Sequence, residues 1–463
     1  MPIDVRPPSP IRLWVHPATI LPRFLPLLTR PTSVLTLTMV GNILLRTIST
    51  IVLTRLLSPS VFGLAGIITS VMFTIIMLTD LGFQSFVVRH PKGDEAHFRN
   101  AIWTVHVVRG VALAALAFVC APAISTVLQK PELALPLAIA CLQLAIDGSA
   151  SIAIMAALRS NGANKLSLLD LGLTFFQTVL CIALAVWLRS IWAIVYAGLA
   201  SRLLRTILSY AIFQNSRQRP INDRAIRREF FVFSRIVMAS SFLTLVLSQS
   251  DKFFLARIFT LEEFGLYAIA VNLALVPANF VNTYTTRIIY PAYAKMWNTR
   301  PEHMASTYYA VRQKVSILFA LGSGALMGIA PLLVRILYDP RYEGAAIFLS
   351  ILAFGAALRL PTSSATNLMT AIGKIKFTLY VNIVRVTWLC IMGPLSYVLM
   401  GGLGIVIAVS TLEVPALIFC WFILHGQKVL NFRKELFYIA LVCGSALTAS
   451  LIASILMKYL IRH

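Results

Sequence analysis

Apolar runs of about 20 residues or more recur along the whole chain, separated by short polar gaps. A run of about 20 apolar residues crosses the hydrocarbon layer as a helix. The runs fall near 34–54, 61–83, 101–128, 133–157, 166–188, 190–213, 231–256, 264–290, 308–337, 345–371, 374–400, 402–425 and 436–459. None shows the two-residue alternation that a membrane barrel requires. The pattern predicts an all-α polytopic membrane protein of about thirteen transmembrane helices, within a range of twelve to fourteen.

Composition agrees with that reading and narrows the class. Of 463 residues, 58% are apolar and 12% charged, and the mean hydropathy is +0.82. Soluble chains are about 45–50% apolar and about 25% charged, so a soluble enzyme is excluded. Lys and Arg number 40 against 17 Asp and Glu, a net charge of +23. Nucleic acid would need a soluble basic face, and here the basic residues sit in the gaps between apolar runs. With the N-terminus inside, cytoplasmic segments hold 23 basic residues and the opposite gaps 8, the bias that sets orientation in membrane proteins. Residues 1–33 read as a basic, proline-rich cytoplasmic tail. All six cysteines lie in apolar runs without CxxC or metal spacing, so they read as buried small hydrophobes.

Two features divide the chain. The longest internal gap, 214–230, is polar and basic and reads as a cytoplasmic connector. The segment LTRLLSPSVFGLAGI at 53–67 returns at 255–269 as LARIFTLEEFGLYAI, with six of fifteen positions identical at an offset of 202. A weaker echo pairs ALRSNGANK at 157–165 with LMTAIGKIK at 368–376. These repeats predict two six-helix lobes, 34–213 and 231–425, related by an axis along the membrane normal around a central cavity, as in some transporters. The run at 436–460 has no counterpart and reads as an additional helix.

No gap holds a catalytic domain, and no GxxxxGK[ST], HExxH or GxSxG motif occurs. The reading is therefore transport, with no catalytic residue, metal or cofactor expected. Charges at mid-bilayer are costly and face a partner or a wet cavity. Asn42, Arg46 and Ser49 share one helix face in the first span, which suits either an anionic ligand in a cavity or a helix–helix hydrogen-bond cluster. Ser241, Thr244, Ser248 and Asp251 form a stripe on the seventh span, with Arg235 near its cytoplasmic end. Asn272, Asn279, Asn282 and Thr286 do so on the eighth, which ends in Arg287. Arg235 and Arg287 read either as interface anchors or as a basic entrance for a phosphate head group. Asp147 with Arg109, and Glu413 with Arg385 or Arg359, read as ion pairs within each lobe. Ion or proton coupling through Asp147, Arg109, Asp251 and Glu413 is the alternative.

Four segments carry a resemblance: RLLSPSVFGLAGI, TDLGFQSFVVR, ARIFTLEEFGLYAIA and IIYPAYAKM. In register on this topology, they resemble the bacterial polysaccharide-repeat-unit exporters of the multidrug/oligosaccharidyl-lipid/polysaccharide superfamily. That resemblance implies two lobes in a V that opens to one side at a time. It also implies movement of undecaprenyl-diphosphate-linked oligosaccharides to the outer leaflet of the bacterial inner membrane, for exopolysaccharide or O-antigen biosynthesis. In related murein-precursor flippases, arginines on helices one, two and eight gather at the diphosphate. Arg46 and Arg287 match the first and eighth; the second span here lacks Arg and Lys, and Arg235 could substitute.

The expected substrate site therefore comprises Arg46, Asn42, Arg235, Arg287, Ser248, Asn279 and Asn282. Expected partners are the lipid-linked oligosaccharide, membrane lipids, and a polysaccharide polymerase with its chain-length machinery. Nucleic acid is not expected. Two other classes stand as alternatives: a drug or cation antiporter of the same fold, which would need acidic cavity residues, and a membrane polymerase or ligase, which would need a large outer loop.

Overall fold

The computed structural model describes residues 31–160, 162–213, 216–299, 301–374 and 376–462, so the proline-rich tail read at 1–33 lies almost wholly outside the described residues. The first half is built from α1 (Pro31–Leu56), α2 (Pro59–Leu78), short α3 (Phe83–Arg89), α4 (Ala96–Val127), α5 (Ala134–Gly148), short α6 (Ala153–Ala157), α7 (Ala163–Leu188) and α8 (Ile191–Ile212). The second half opens with α9 (Arg224–Ile258), α10 (Leu261–Tyr284) and α11 (Tyr290–Thr299). It continues through α12 (Met304–Leu337), α13 (Ala345–Ala371) and α14 (Lys376–Met400) to α15 (Gly402–Ser410), α16 (Glu413–Gly426) and α17 (Phe432–Arg462). Thirteen helical segments among the described residues are long and apolar enough to cross a membrane, in agreement with the hydropathy pattern.

Local chemistry sets the helix ends. Pro59 at the first position of α2 fixes φ where no amide partner is needed. The Asp223 carboxylate caps α9 by accepting the Ala225 and Ile226 amides at 2.8 and 3.1 Å. Thr260 and Glu263 form a reciprocal capping box on α10. Gly401, with φ +61°, turns α14 into α15 where a side chain would be strained.

Two of the predicted spans are interrupted. The fourth breaks at 149–152 between α5 and α6, and the twelfth at 411–412 between α15 and α16. Freed backbone groups in a membrane must find internal partners. The Ser149 carbonyl accepts the Tyr210 hydroxyl at 2.6 Å, and the Thr411 and Leu412 amides donate to the Ile407 and Val409 carbonyls at 2.9 and 3.3 Å. A π-turn over Thr285–Ile289 joins α10 to α11.

The largest apolar cluster joins both halves, from Ile67 and Leu137 to Phe264, Tyr342 and Leu349. α2 packs along α10, α4 along α5, and α12 along α13. α1 lies against α7, whereas α9 packs on α2 and touches α4, both in the first half. α17, the helix without a counterpart, docks on α12, where Gly324 and Gly328 lie too close to its backbone for any side chain. Cys390 and Cys443 are exposed rather than buried. An apolar run in a membrane chain marks lipid contact as readily as core, which is why the expectation of burial fails at these two.

Candidate functional site

The halves meet at two ends. At one, the repeated segments cross each other: Gly63 of α2 and Gly265 of α10, equivalent at the offset of 202, face one another. A Cβ on Gly63 would lie 1.9 Å from the Leu261 carbonyl oxygen, and one on Gly265 would lie 2.0 Å from that of Pro59. Small residues allow such backbone approach in membranes. Around this glycine end, Arg341 donates to the Thr54 and Arg55 carbonyls at 3.5 and 3.4 Å. Tyr342 donates to Leu57 at 2.8 Å, and Arg257 to Val127 at 2.7 Å. Asp339 bonds Arg341 at 2.8 Å, which holds its carboxyl below the usual carboxylate range.

At the other end, α9 and the segment before it lie on the first half. Ser241 donates to Asp80 at 2.8 Å, and Ser234 to the Leu81 carbonyl at 2.8 Å. His90 meets Glu229 at 3.1 Å and His97 meets Asp223 at 2.9 Å. Phe230 fills a pocket between Phe83 and Phe86. We term this the connector end. His97 and the α9 amides hold the Asp223 carboxyl below its ordinary range.

Charges inside the spans fall into two sets. In the first set each has a partner. Asp147 pairs with Arg202 at 3.1 Å, not with Arg109; Arg109 instead donates to the Thr79 hydroxyl at 2.8 Å. Glu413 accepts from Arg385 and from Thr362, each at 2.8 Å, and lies 3.9 Å from Arg359. Arg312 and Glu435 form a buried pair joining α12 to α17. Asp251 is buried and accepts the Tyr267 hydroxyl, which removes it from the polar stripe read on the seventh span. Asp147 and Glu413 both stand beside a helix interruption, which apolar patterning did not reveal.

The second set is exposed. Arg46 on α1 and Arg235 on α9 are exposed and have no ion-pair partner among the described residues. Asn272, Asn279 and Asn282 on α10 and Thr286 in the π-turn are exposed as well. Asn42 is half-buried and donates to its own helix, to the Thr38 carbonyl at 2.9 Å. Ser248 is half-buried, within 3.5 Å of the Leu245 carbonyl. Arg287 occupies the middle of the π-turn; its side chain lies outside the described residues. The structure thus leaves guanidinium and amide groups free on α1, α9 and α10, while Asp147, Glu413 and Glu435 are each paired with an arginine.

A family model described as polysaccharide biosynthesis protein matches residues 52–347. The succinoglycan biosynthesis transport protein ExoT of Rhizobium meliloti (strain 1021) is 22% identical over 435 residues, covering 91% of this chain and 84% of that protein. The lipopolysaccharide biosynthesis protein WzxC of Escherichia coli (strain K12) is 22% identical, over 81% of this chain and 76% of its own length. Among solved structures, the lipid II flippase MurJ in an inward closed conformation superposes with a TM-score of 0.70 at 11% identity, covering 90% and 92% of the two chains. An inward-facing multidrug resistance MATE family transporter of the MOP superfamily gives 0.63 at 13% identity, covering 86% and 95%. The fold is therefore of the MurJ and MATE kind.

Proposed function

This chain belongs to the polysaccharide biosynthesis protein family, and on that premise we propose that it is a flippase for lipid-linked oligosaccharide repeat units. It would carry them from the inner to the outer leaflet of a bacterial inner membrane, feeding exopolysaccharide or O-antigen synthesis. The observation that carries this reading is the sorting of charges. Arg46 on α1 and Arg235 on α9 are left without carboxylates, and α10 presents exposed asparagines at 272, 279 and 282. Exposed guanidinium groups are too costly against lipid, so this set would line the water-filled space between the lobes, with Arg287 at its edge.

A diphosphate cannot enter about 30 Å of hydrocarbon unaided. Guanidinium forks match its oxygens in pairs, and amides and hydroxyls suit the sugars. The polyprenyl tail would stay in lipid. With the N-terminus inside, the glycine end faces outward and the connector end faces the cytoplasm, as the basic-residue bias suggests. The chain division at 214–230 would then be a cytoplasmic strap between lobes 34–213 and 231–425. In an inside-negative membrane, each negative charge moved outward gains about 2.3 kcal/mol per 100 mV, so no coupling ion is required. A polymerase with chain-length machinery would receive the product. The antiporter alternative is not favoured, since its acidic candidate, Asp251, is buried under Tyr267.

The test is sidedness of the lipid-linked intermediate in a deletion strain complemented with wild type, Arg46→Ala or Arg46→Lys. Deletion should trap the intermediate on the cytoplasmic leaflet. Arg46→Ala should fail to release it at normal protein abundance, with partial rescue by Lys. An intermediate that reaches the outer leaflet unpolymerised in the deletion strain would refute the flippase reading.

A further inference from the structure

At the connector end, α17 and α12 leave a notch of about 80 Å³ between them. Arg312, Gln313, Ser316 and Lys434 line its polar part, and Ile317 and Phe437 its apolar part. Arg312 does not supply its charge: Glu435 neutralises it, and its guanidinium lies over the rings of Tyr308 and Tyr309 at 4.5 and 5.1 Å. The free charge is Lys434, whose ammonium stands 4.9 Å from the Tyr309 ring and has no carboxylate partner among the described residues. Lys314 and Arg433 are exposed on the same two helices but do not line the notch.

One free cation, Lys434, thus stands in a small polar recess with Gln313 and Ser316, while the neighbouring Glu435 is consumed by a buried arginine. Directly beyond the recess the helix surfaces turn apolar, with Ile317, Leu318 and Phe437 exposed. That sequence of layers matches a lipid with an anionic head and hydrocarbon tails, and basic pockets between transmembrane helices are known to hold anionic head groups. The notch also lies away from the seam between the halves, because α17 docks on α12. We propose that it binds the phosphate of an anionic phospholipid of the surrounding leaflet, with the acyl chains along Ile317 and Phe437, fastening α17 to the rest of the bundle.

The full chain, purified in mild detergent, would be tested by native mass spectrometry against phosphatidylglycerol and phosphatidylethanolamine at equal concentrations. Wild type should retain phosphatidylglycerol preferentially. Lys434→Glu should reduce that preference by about fivefold or more, the effect of removing one cation near a membrane surface. Lys434→Arg should keep it, and Lys165→Glu, an exposed lysine far along the sequence, should leave it unchanged. An equal retention of both lipids by wild type, or an unchanged preference in Lys434→Glu, would overturn the proposal. So would displacement of the bound phosphatidylglycerol by a polyprenyl diphosphate in a Lys434-dependent manner, since that would make the notch a dock for the transported lipid. Because every reading is of binding, failure here is distinguishable from failure of the transport assay.

Discussion

Where α2 crosses α10, the two halves meet through main chain, at Gly63 and Gly265; where α9 crosses α2, they meet through side chains, at Ser241, Ser234 and the two histidines. The materials differ in what they permit. Backbone contact at such range is short-reaching: a small separation forfeits much of its attraction, so the glycine end behaves as closed or open with little between. The Ser234 bond to the Leu81 carbonyl is of the neutral kind, worth about 0.5–1.5 kcal/mol, and exposed histidine–carboxylate contacts exchange readily for water. The connector end can therefore loosen bond by bond. For a protein proposed to rock between two accesses, a tight seal on one side and a graded latch on the other is a workable division.

The comparison breaks most completely at the glycines. Gly265→Val would set a side chain against the Pro59 carbonyl, which cannot rotate away. Overpacking costs about 1–3 kcal/mol even in ordinary cores, so the seam should shift toward separation by about tenfold or more. Labelling of a cysteine placed at Val61 should rise accordingly, and export should fall at normal abundance. Unchanged labelling in a functional variant would show that the two helices are not held at this distance.

A smaller effect should follow at the latch. Ser241→Ala removes the hydroxyl that reaches Asp80, while the Gly82 amide still serves that carboxylate at 3.0 Å. A hydrogen bond to a charged group contributes about 1.5–3 kcal/mol, reduced here by partial exposure. Labelling at the connector end should rise severalfold, with the glycine end unaffected. Equal loosening of both ends would erase the distinction drawn here.

The smallest effect concerns pH. Arg341 depresses the pKa of Asp339 below its ordinary 3.8. The carboxylate's contribution is thus present above that value and lost only as pH falls through the lowered one. Labelling at the glycine end should be flat between pH 5 and 8. A transition inside that window would mean that another group governs the seam.

Much of this was legible in the sequence and some was not. The thirteen spans and the 202-residue echo could be read from apolar runs and from Phe62, Gly63 and Leu64 recurring at Phe264, Gly265 and Leu266. The contact between the two glycines could not, because an echo fixes equivalence and not distance. The pairing of Asp147 with Arg202 rather than Arg109 depends on how α5, α4 and α8 rotate about their axes, which periodicity leaves free. The breaks at 149–152 and 411–412 were hidden because hydropathy is blind to backbone dihedrals. Asp251 fell on a polar stripe by spacing alone; its burial under Tyr267 comes from a neighbouring helix.

The most direct test places spin labels in pairs across each end, one pair beside Gly63 and Gly265 and another between Asp80's turn and α9, in the full chain in lipid. Distances would be measured with and without a lipid-linked oligosaccharide. The account predicts opposed changes: when the glycine-end distance lengthens, the connector-end distance shortens. Distances that lengthen together, or a glycine end that stays shut throughout turnover, would contradict it.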